Sequence, residues 1–293
     1  MPSRVVRAVV VVAAAAVVFT DGAIQAARLG ERAALVTVVA ETGTPIRDLA
    51  AGDFVVKEDG KKRDVVAARL ANDPLSVALL IDTSKSPVGG ARSPQDLRNA
   101  AAAFVKTIHA VNPDAAIALM FCGGSTVTTV DFTNKAGDLE AAVSRLYPDQ
   151  QSTAVLLEAL RDAGKKLAAR PAPRRAVVTV DFNSSESSSD RLVQEAADSV
   201  TNSGATFWAV SIRGTGSTSA NREEVLNKMT KATGGRRFSS VESSGLEGML
   251  RNVAATLTSQ YLVTFTSPSD SPSRSTTFET VRGAKVLPTP FMR

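Results

Sequence analysis

Short apolar runs, each closing on a polar residue, alternate along this chain with longer stretches of helical period. Val77 to Ile81 are five apolar residues in succession and lead straight into Asp82. A run of that kind, without in–out alternation, suits a strand buried on both faces of a parallel sheet. Arg175 to Val180 leads in the same way into Asp181, and Ala115–Phe121 and Thr206–Ile212 are further strand candidates. Thr126–Phe132 follows through Gly123-Gly124, a pair suited to a tight reversal. Between the strands, Ser93-Pro94-Gln95-Asp96 supplies an N-cap hydroxyl, a proline at the first helical position and an acid in the first turn. Leu97, Ala101, Phe104, Ile108 and Val111 then recur at helical spacing. Helices are also expected near 136–146, 153–170, 192–201, 223–230 and 246–258. This alternation predicts an α/β fold with a doubly wound, mostly parallel central sheet flanked by helices.

The flanks read differently. Ala34–Glu41 alternates like a half-buried strand, and Phe54–Glu58, Asp59-Gly60 and Lys61–Leu70 read as a hairpin turning on Asp-Gly. A β unit of about forty residues seldom buries an adequate core alone. It is therefore expected to pair with the strand-like Thr276–Val286, so that both flanks make one small accessory β unit. The expected division is a leader over 1–26, an accessory segment over 31–73, the main domain over 74–266 and a C-terminal β segment over 274–293. Within the leader, Arg4 and Arg7 precede the uncharged run Ala8–Phe19, which is shorter than the ~20 residues a bilayer span needs. It reads as a secretory signal peptide, with an uncleaved anchor as the alternative. Export to the periplasm or the exterior, with no membrane span in the mature chain, is the expectation.

Composition narrows the function. At 44% hydrophobic and 22% charged over 293 residues, the chain can bury one substantial core plus a small appendage. Cys122 is the sole cysteine, which excludes an intrachain disulfide and a thiolate metal cluster. The formal charge of +5 is scattered and no aromatics interleave with it, so nucleic acid is not the expected partner. The enzymatic readings lack parts. A haloacid-dehalogenase-type phosphatase needs a second Asp two residues after the first, where this chain has Ser84. Neither a Gly-x-Ser-x-Gly elbow nor a phosphate loop ending Gly-Lys-Ser/Thr occurs. The single histidine, His109, falls inside an expected helix. A non-enzymatic role is expected, and without heptads or repeats a monomer is the default.

The chemistry lies at the strand ends. Ligands of open α/β sheets bind outside the carboxyl ends of the strands, where Asp82, Ser84 and Ser86 would place one carboxylate and two hydroxyls. Such hard oxygen donors suit Mg²⁺ and leave positions for water. Thr153, at a helix start, and Asp181, at a second strand end, fall on the same rim.

Asp82-x-Ser84-x-Ser86 with the downstream Thr153 and Asp181 resembles the metal-ion-dependent adhesion site of the von Willebrand factor type A family. The resemblance covers about Pro74 to Thr266 and includes Thr233-Gly234-Gly235-Arg236-Arg237-Phe238, which looks like the family's late turn. The flanking Asp53–Lys61 and Gln260–Phe265 look like the exported acidobacterial-type subfamily. The resemblance implies Mg²⁺, or Mn²⁺ or Ca²⁺, held by Asp82, Ser84, Ser86, Thr153 and Asp181, and a protein partner that completes the shell with an acidic side chain. Asn183, Ser185 and Glu186, in the Ser-rich segment after Asp181, are candidate contacts to that ligand. Lys85 within the motif, Gln151-Ser152 before Thr153 and Phe182 after Asp181 depart from the family pattern, and none removes a ligand atom. The alternative reading is an interaction scaffold of the same fold that works without metal.

Overall fold

The computed structural model describes residues 30–85, 93–149, 151–182, 184–213, 219–267 and 275–292. The expected leader lies outside them, as do Ser86 and Asn183. In chain order the elements are β1 (Glu31–Val39), β2 (Phe54–Glu58), β3 (Lys61–Arg63), β4 (Val65–Leu70), β5 (Leu75–Ile81), α1 (Pro94–Val111), β6 (Ala116–Gly123), β7 (Ser125–Thr133), α2 (Ala136–Ser144) and α3 (Leu156–Ala168). There follow β8 (Arg174–Asp181), α4 (Leu192–Asn202), β9 (Thr206–Ile212), α5 (Ala220–Thr233), β10 (Arg237–Ser240), α6 (Leu246–Leu257), β11 (Gln260–Thr266), β12 (Thr276–Thr280) and β13 (Lys285–Met292).

Six strands form the central sheet in the order β10-β9-β8-β5-β6-β7. All neighbours are parallel except β6 and β7, which reverse through Gly124 in the left-handed region. Every residue of β5 and β9 is buried, as unbroken apolar runs require. Alternation then assigns the side chains to two cores. Val77, Leu79, Ile81, Val178, Val180 and Trp208 pack with α1, α2 and α6 on one face. Ala78, Leu80, Val177, Phe207 and Ala209 pack with α3, α4 and α5 on the other. Helix α1 starts as expected, with the Ser93 hydroxyl accepting from the Asp96 N–H at 3.3 Å and Pro94 in the first turn.

The flanks do come together, but in two antiparallel sheets rather than one. The first has the order β13-β1-β11-β4 and the second β12-β2-β3. Strand β11, expected inside the main domain, pairs instead with β1 and β4. The Asp59-Gly60 turn closes β2 on β3 with both residues at positive φ, as a two-residue hairpin demands. The continuous strand expected over 61–70 breaks after Arg63, because β3 pairs with β2 and β4 with β11. Among the described residues no helix is long and apolar enough to cross a membrane.

Candidate functional site at the carboxyl ends of the central strands

Parallel pairing of β5 with β8 sets Ile81 beside Val180, and the Asp82 N–H continues the ladder onto the Val180 carbonyl at 2.9 Å. Asp82 and Asp181 therefore leave neighbouring strand ends at one level. The pleat period of two gives them the parity of Ala78, Leu80 and Val177, toward the face that α3, α4 and α5 cover. Both are buried, and burial pushes the Asp181 carboxyl above its ordinary range against the opposing charge of Arg222 and a hydrogen bond from Ser211.

The loop after β5 folds back on its own carboxylate. Asp82 Oδ1 accepts from the Ser84 N–H at 2.9 Å and from the Ser84 hydroxyl at 2.6 Å, and Ser84 is fully buried. The turn can lie this low because Gly123 stands beneath it. A Cβ there would come within 2.6 Å of Thr83 Oγ1 and 2.9 Å of the Ser84 nitrogen. The exposed Lys85 keeps its side chain outward while its N–H donates to the Ser152 carbonyl at 2.8 Å.

That last bond joins the second segment to the first. Thr153 precedes α3 rather than opening it, since the helix begins at Leu156. Its carbonyl accepts from the Gly124 N–H at 2.7 Å, and its exposed hydroxyl is hydrogen-bonded to that of Ser187. Ala154 bridges both Gly123 and Glu186, so the 152–154 loop is clamped between the end of β6 and the segment after β8.

Glu186 is held within the site. Placed on the ligand loop by its sequence position, it turns its side chain inward: Oε2 accepts from the Leu156 N–H at 3.3 Å and Oε1 from the Ser188 N–H at 3.2 Å. Oε2 also accepts from Arg222 Nε at 3.1 Å and Nη2 at 3.0 Å. Ser185 is exposed and holds the Ala154 N–H through its carbonyl.

Arg222 is the residue that sequence reasoning missed. It lies in the first turn of α5, it is fully buried, and its Nη1 stands 3.5 Å from Asp82 Oδ2. Burial disfavours its charge, but Asp82, Asp181 and Glu186 together outweigh that and hold the guanidinium more firmly protonated than usual. A signal was available. A cation in the first turn faces the positive end of the helix dipole, so a first-turn arginine is placed for a partner outside the helix.

A relay supports Asp181 from the other side. The Ser211 hydroxyl donates to Asp181 Oδ2 at 2.7 Å, and Arg237 donates to Ser211 Oγ from Nε and Nη2, each at 3.1 Å. Arg237 is itself paired with Glu223 through two bonds of 2.7 Å.

The oxygen donors fit a hard dication. Asp82, Asp181 and Glu186 face one guanidinium, Arg222, in a buried cluster richer in carboxyl groups than in cations, while Glu223 is paired with Arg237. Ser84 and Thr153 add hydroxyl oxygens of the class Mg²⁺ prefers. Among the described residues no three acidic, imidazole or thiol groups converge on one point, so any ion here depends on those hydroxyls.

With this geometry established, comparison with known proteins decides the family. The model of the von Willebrand factor type A domain matches residues 76–252, more than half of the chain. The chain belongs to the von Willebrand factor type A family. The chain has the fold of a von Willebrand factor type A protein from Catenulispora acidiphila, at 12% identity, covering 87% of this chain and 71% of the other with a TM-score of 0.51. The vWF domain of the type V pili tip protein Mfa5 from Porphyromonas gingivalis matches at 13% identity over 64% of this chain and 96% of its own, with a TM-score of 0.51. The PilB minor pilin from Streptococcus sanguinis matches at 12% identity over 64% of this chain, with a TM-score of 0.51, and only 62% of the pilin's length is spanned. A comparison with curated proteins finds no sequence match.

Proposed function

We propose that this von Willebrand factor type A domain is an exported, non-enzymatic binding module whose strand-end rim contacts a protein partner through a divalent cation. The observation that carries the reading is the convergence of three separate segments. Asp82 and Asp181 leave adjacent parallel strand ends, and the Thr153 loop is fastened beside them by the 2.8 Å bond from Lys85 to Ser152. In this reading Asp82, Ser84, Ser86, Thr153 and Asp181 hold Mg²⁺, or Mn²⁺ or Ca²⁺. The hydroxyl ligands leave the ion under-neutralised and open to an acidic side chain of the partner. Around the rim, Tyr147 is 71% exposed in the loop whose Asp149 N–H bonds the Thr83 carbonyl, and Val241 is 69% exposed where β10 ends. Exposed aromatic and apolar side chains beside a polar centre are what a protein contact uses as anchors. That two proteins of this fold are named as pilus components is in keeping with a binding role.

The test is Mn²⁺ titration by calorimetry on the full chain and on Asp82→Ala. Binding by the parent and none by the variant is expected. Equal binding by both would remove the ion from this rim.

A second reading is the same interaction module working without metal. Arg222 favours it, because a cation of the chain's own already faces Asp82.

A further inference from the structure

Arg222 enters the site from the helix-covered side of the sheet. Alternation directs Asp82, Asp181 and Ser211 to that face, and α5 presents its first turn to it. The guanidinium turns two of its nitrogens, Nε and Nη2, to Glu186 and the third, Nη1, to Asp82. Glu186 in turn holds the first N–H of α3 and bridges Ala154, the neighbour of Thr153. One side chain thus links the three segments that an adhesion-site ion would otherwise have to draw together: the end of β5, the 152–154 loop and the segment after β8. The loop contacts are already closed by backbone bonds, from Lys85 to Ser152, Gly124 to Thr153, Ala154 to Ser185 and Ser187 to Ala154.

We propose that Arg222 is a tethered cation that competes with a divalent ion for Asp82, so that the rim is assembled without metal and holds metal weakly. This rests on the reading of the rim as a cation site. A fixed guanidinium sharing a carboxylate with a dication repels it, and in a buried site that repulsion is little screened. The same charge supplies in the metal-free protein what an ion supplies elsewhere, a positive centre against Asp82 and Asp181. Arg222 acts as a positioning residue: its fork orders the carboxylates, and its charge sets how readily the site fills.

The experiment compares wild type, Arg222→Gln, Arg222→Lys and the double variant Glu186→Gln/Arg222→Gln, each as the full chain, by thermal unfolding with chelator or with Mn²⁺ and by Mn²⁺ calorimetry. Wild type should unfold at nearly the same temperature in chelator and in Mn²⁺. Arg222→Gln should unfold several degrees lower in chelator and be rescued by Mn²⁺, and it should bind Mn²⁺ about tenfold more tightly or better, since the competing charge is gone. Arg222→Lys, which keeps the charge but loses the fork on Glu186, should bind Mn²⁺ as weakly as wild type. Should Arg222→Gln fail to fold, the double variant, which removes the partner carboxylate as well, carries the same affinity comparison. Wild-type binding that Asp82→Ala abolishes, together with variants that bind no more tightly than wild type, overturns the competition alone. Absence of Mn²⁺ binding in every protein overturns the cation reading and the competition with it.

Discussion

Arg174 donates from Nη2 to the carbonyl of Leu257 at 2.6 Å, joining the start of β8 to the last turn of α6. The same guanidinium takes the carbonyls of Ala71 and Asp73 at 2.9 and 3.1 Å and Gln260 Oε1 at 3.0 Å. It therefore gathers the connection from β4 to β5, the negative end of a helix and the start of β11. Those are the points where the two antiparallel flanking strands enter and leave the central fold. Burial lowers its pKa to about 10, against the favourable charge of Asp73, so the group stays protonated at neutral pH.

Arg174→Met should accordingly be among the most damaging single changes. Methionine replaces the packing of the stem but leaves three carbonyls and one amide oxygen buried without donors. Leaving a buried acceptor without its donor costs about 1–3 kcal/mol. Urea unfolding followed by circular dichroism should register a loss of that size, and a loss below about 1 kcal/mol would mean that the carbonyls find other donors.

At the rim, Gly123→Ala tests the close approach of the Asp82 turn. Its Cβ would meet backbone atoms, the Ser84 nitrogen and the Thr83 carbonyl carbon, both at 2.9 Å, so the turn has to move. Overpacking of this kind costs about 1–3 kcal/mol. Mn²⁺ affinity should fall along with stability, because Ser84 is what orders Asp82 Oδ1. Gly137→Ala is the control. It has open space on all sides in the first turn of α2 and should be neutral or stabilising by up to about 1 kcal/mol. Equal effects of the two changes would argue against the contact.

The late turn makes a third test. Gly234 ends α5 in the left-handed conformation, and a Cβ on the next residue, Gly235, would come within 1.7 Å of the Phe207 carbonyl oxygen. Thr233 completes the junction, its hydroxyl accepting from the Phe207 N–H and donating to the Met229 carbonyl, both at 2.8 Å. Gly235→Ala should thus pull β9 away from the start of β10 and lower stability by more than Gly123→Ala does. Thermal unfolding ranks the two directly, and the reverse order would show that β9 yields to the added methyl.

These examples show what the chain made legible. Asp82 and Asp181 could be placed because each closes an apolar run, and a buried run has only one polar end at the rim. The Thr233-Gly234-Gly235 junction was legible through its resemblance to the family's late turn. The hidden elements depended on long-range pairing. Nothing local at Arg63 or Asp64 distinguishes a continuous strand from β3 and β4, since the break is imposed by two different partner strands, β2 and β11. Arg222 was hidden for the same reason. Ser219-Ala220-Asn221-Arg222-Glu223 reads as a polar helix start in which a first-turn cation opposed to the helix dipole is the one local oddity, and the packing of α5 on the sheet is what buries that residue against Asp82.

The support of Asp181 should respond to pH through Glu223. Its hydrogen bonds from Arg237 hold its carboxyl below the ordinary range, with partial burial opposing and the charges of Arg237 and Arg213 adding to the effect. A carboxyl whose folded pKa is depressed contributes stability above its unfolded value, and that contribution is lost as pH falls through the folded value. Glu223→Gln should therefore cost about 1–2 kcal/mol at neutral pH, as charge-assisted bonds to a partly buried partner do. As pH falls below the unfolded value and on through the depressed folded value, the parent's carboxylate is protonated in its turn, and the two proteins should converge in stability. Because Arg237 reaches Asp181 through Ser211, Mn²⁺ affinity measured at neutral pH should also weaken in Glu223→Gln. Urea unfolding of both proteins at neutral and acid pH gives the comparison. A stability gap that stays constant across that range would show that Glu223 acts through its shape and not through its charge.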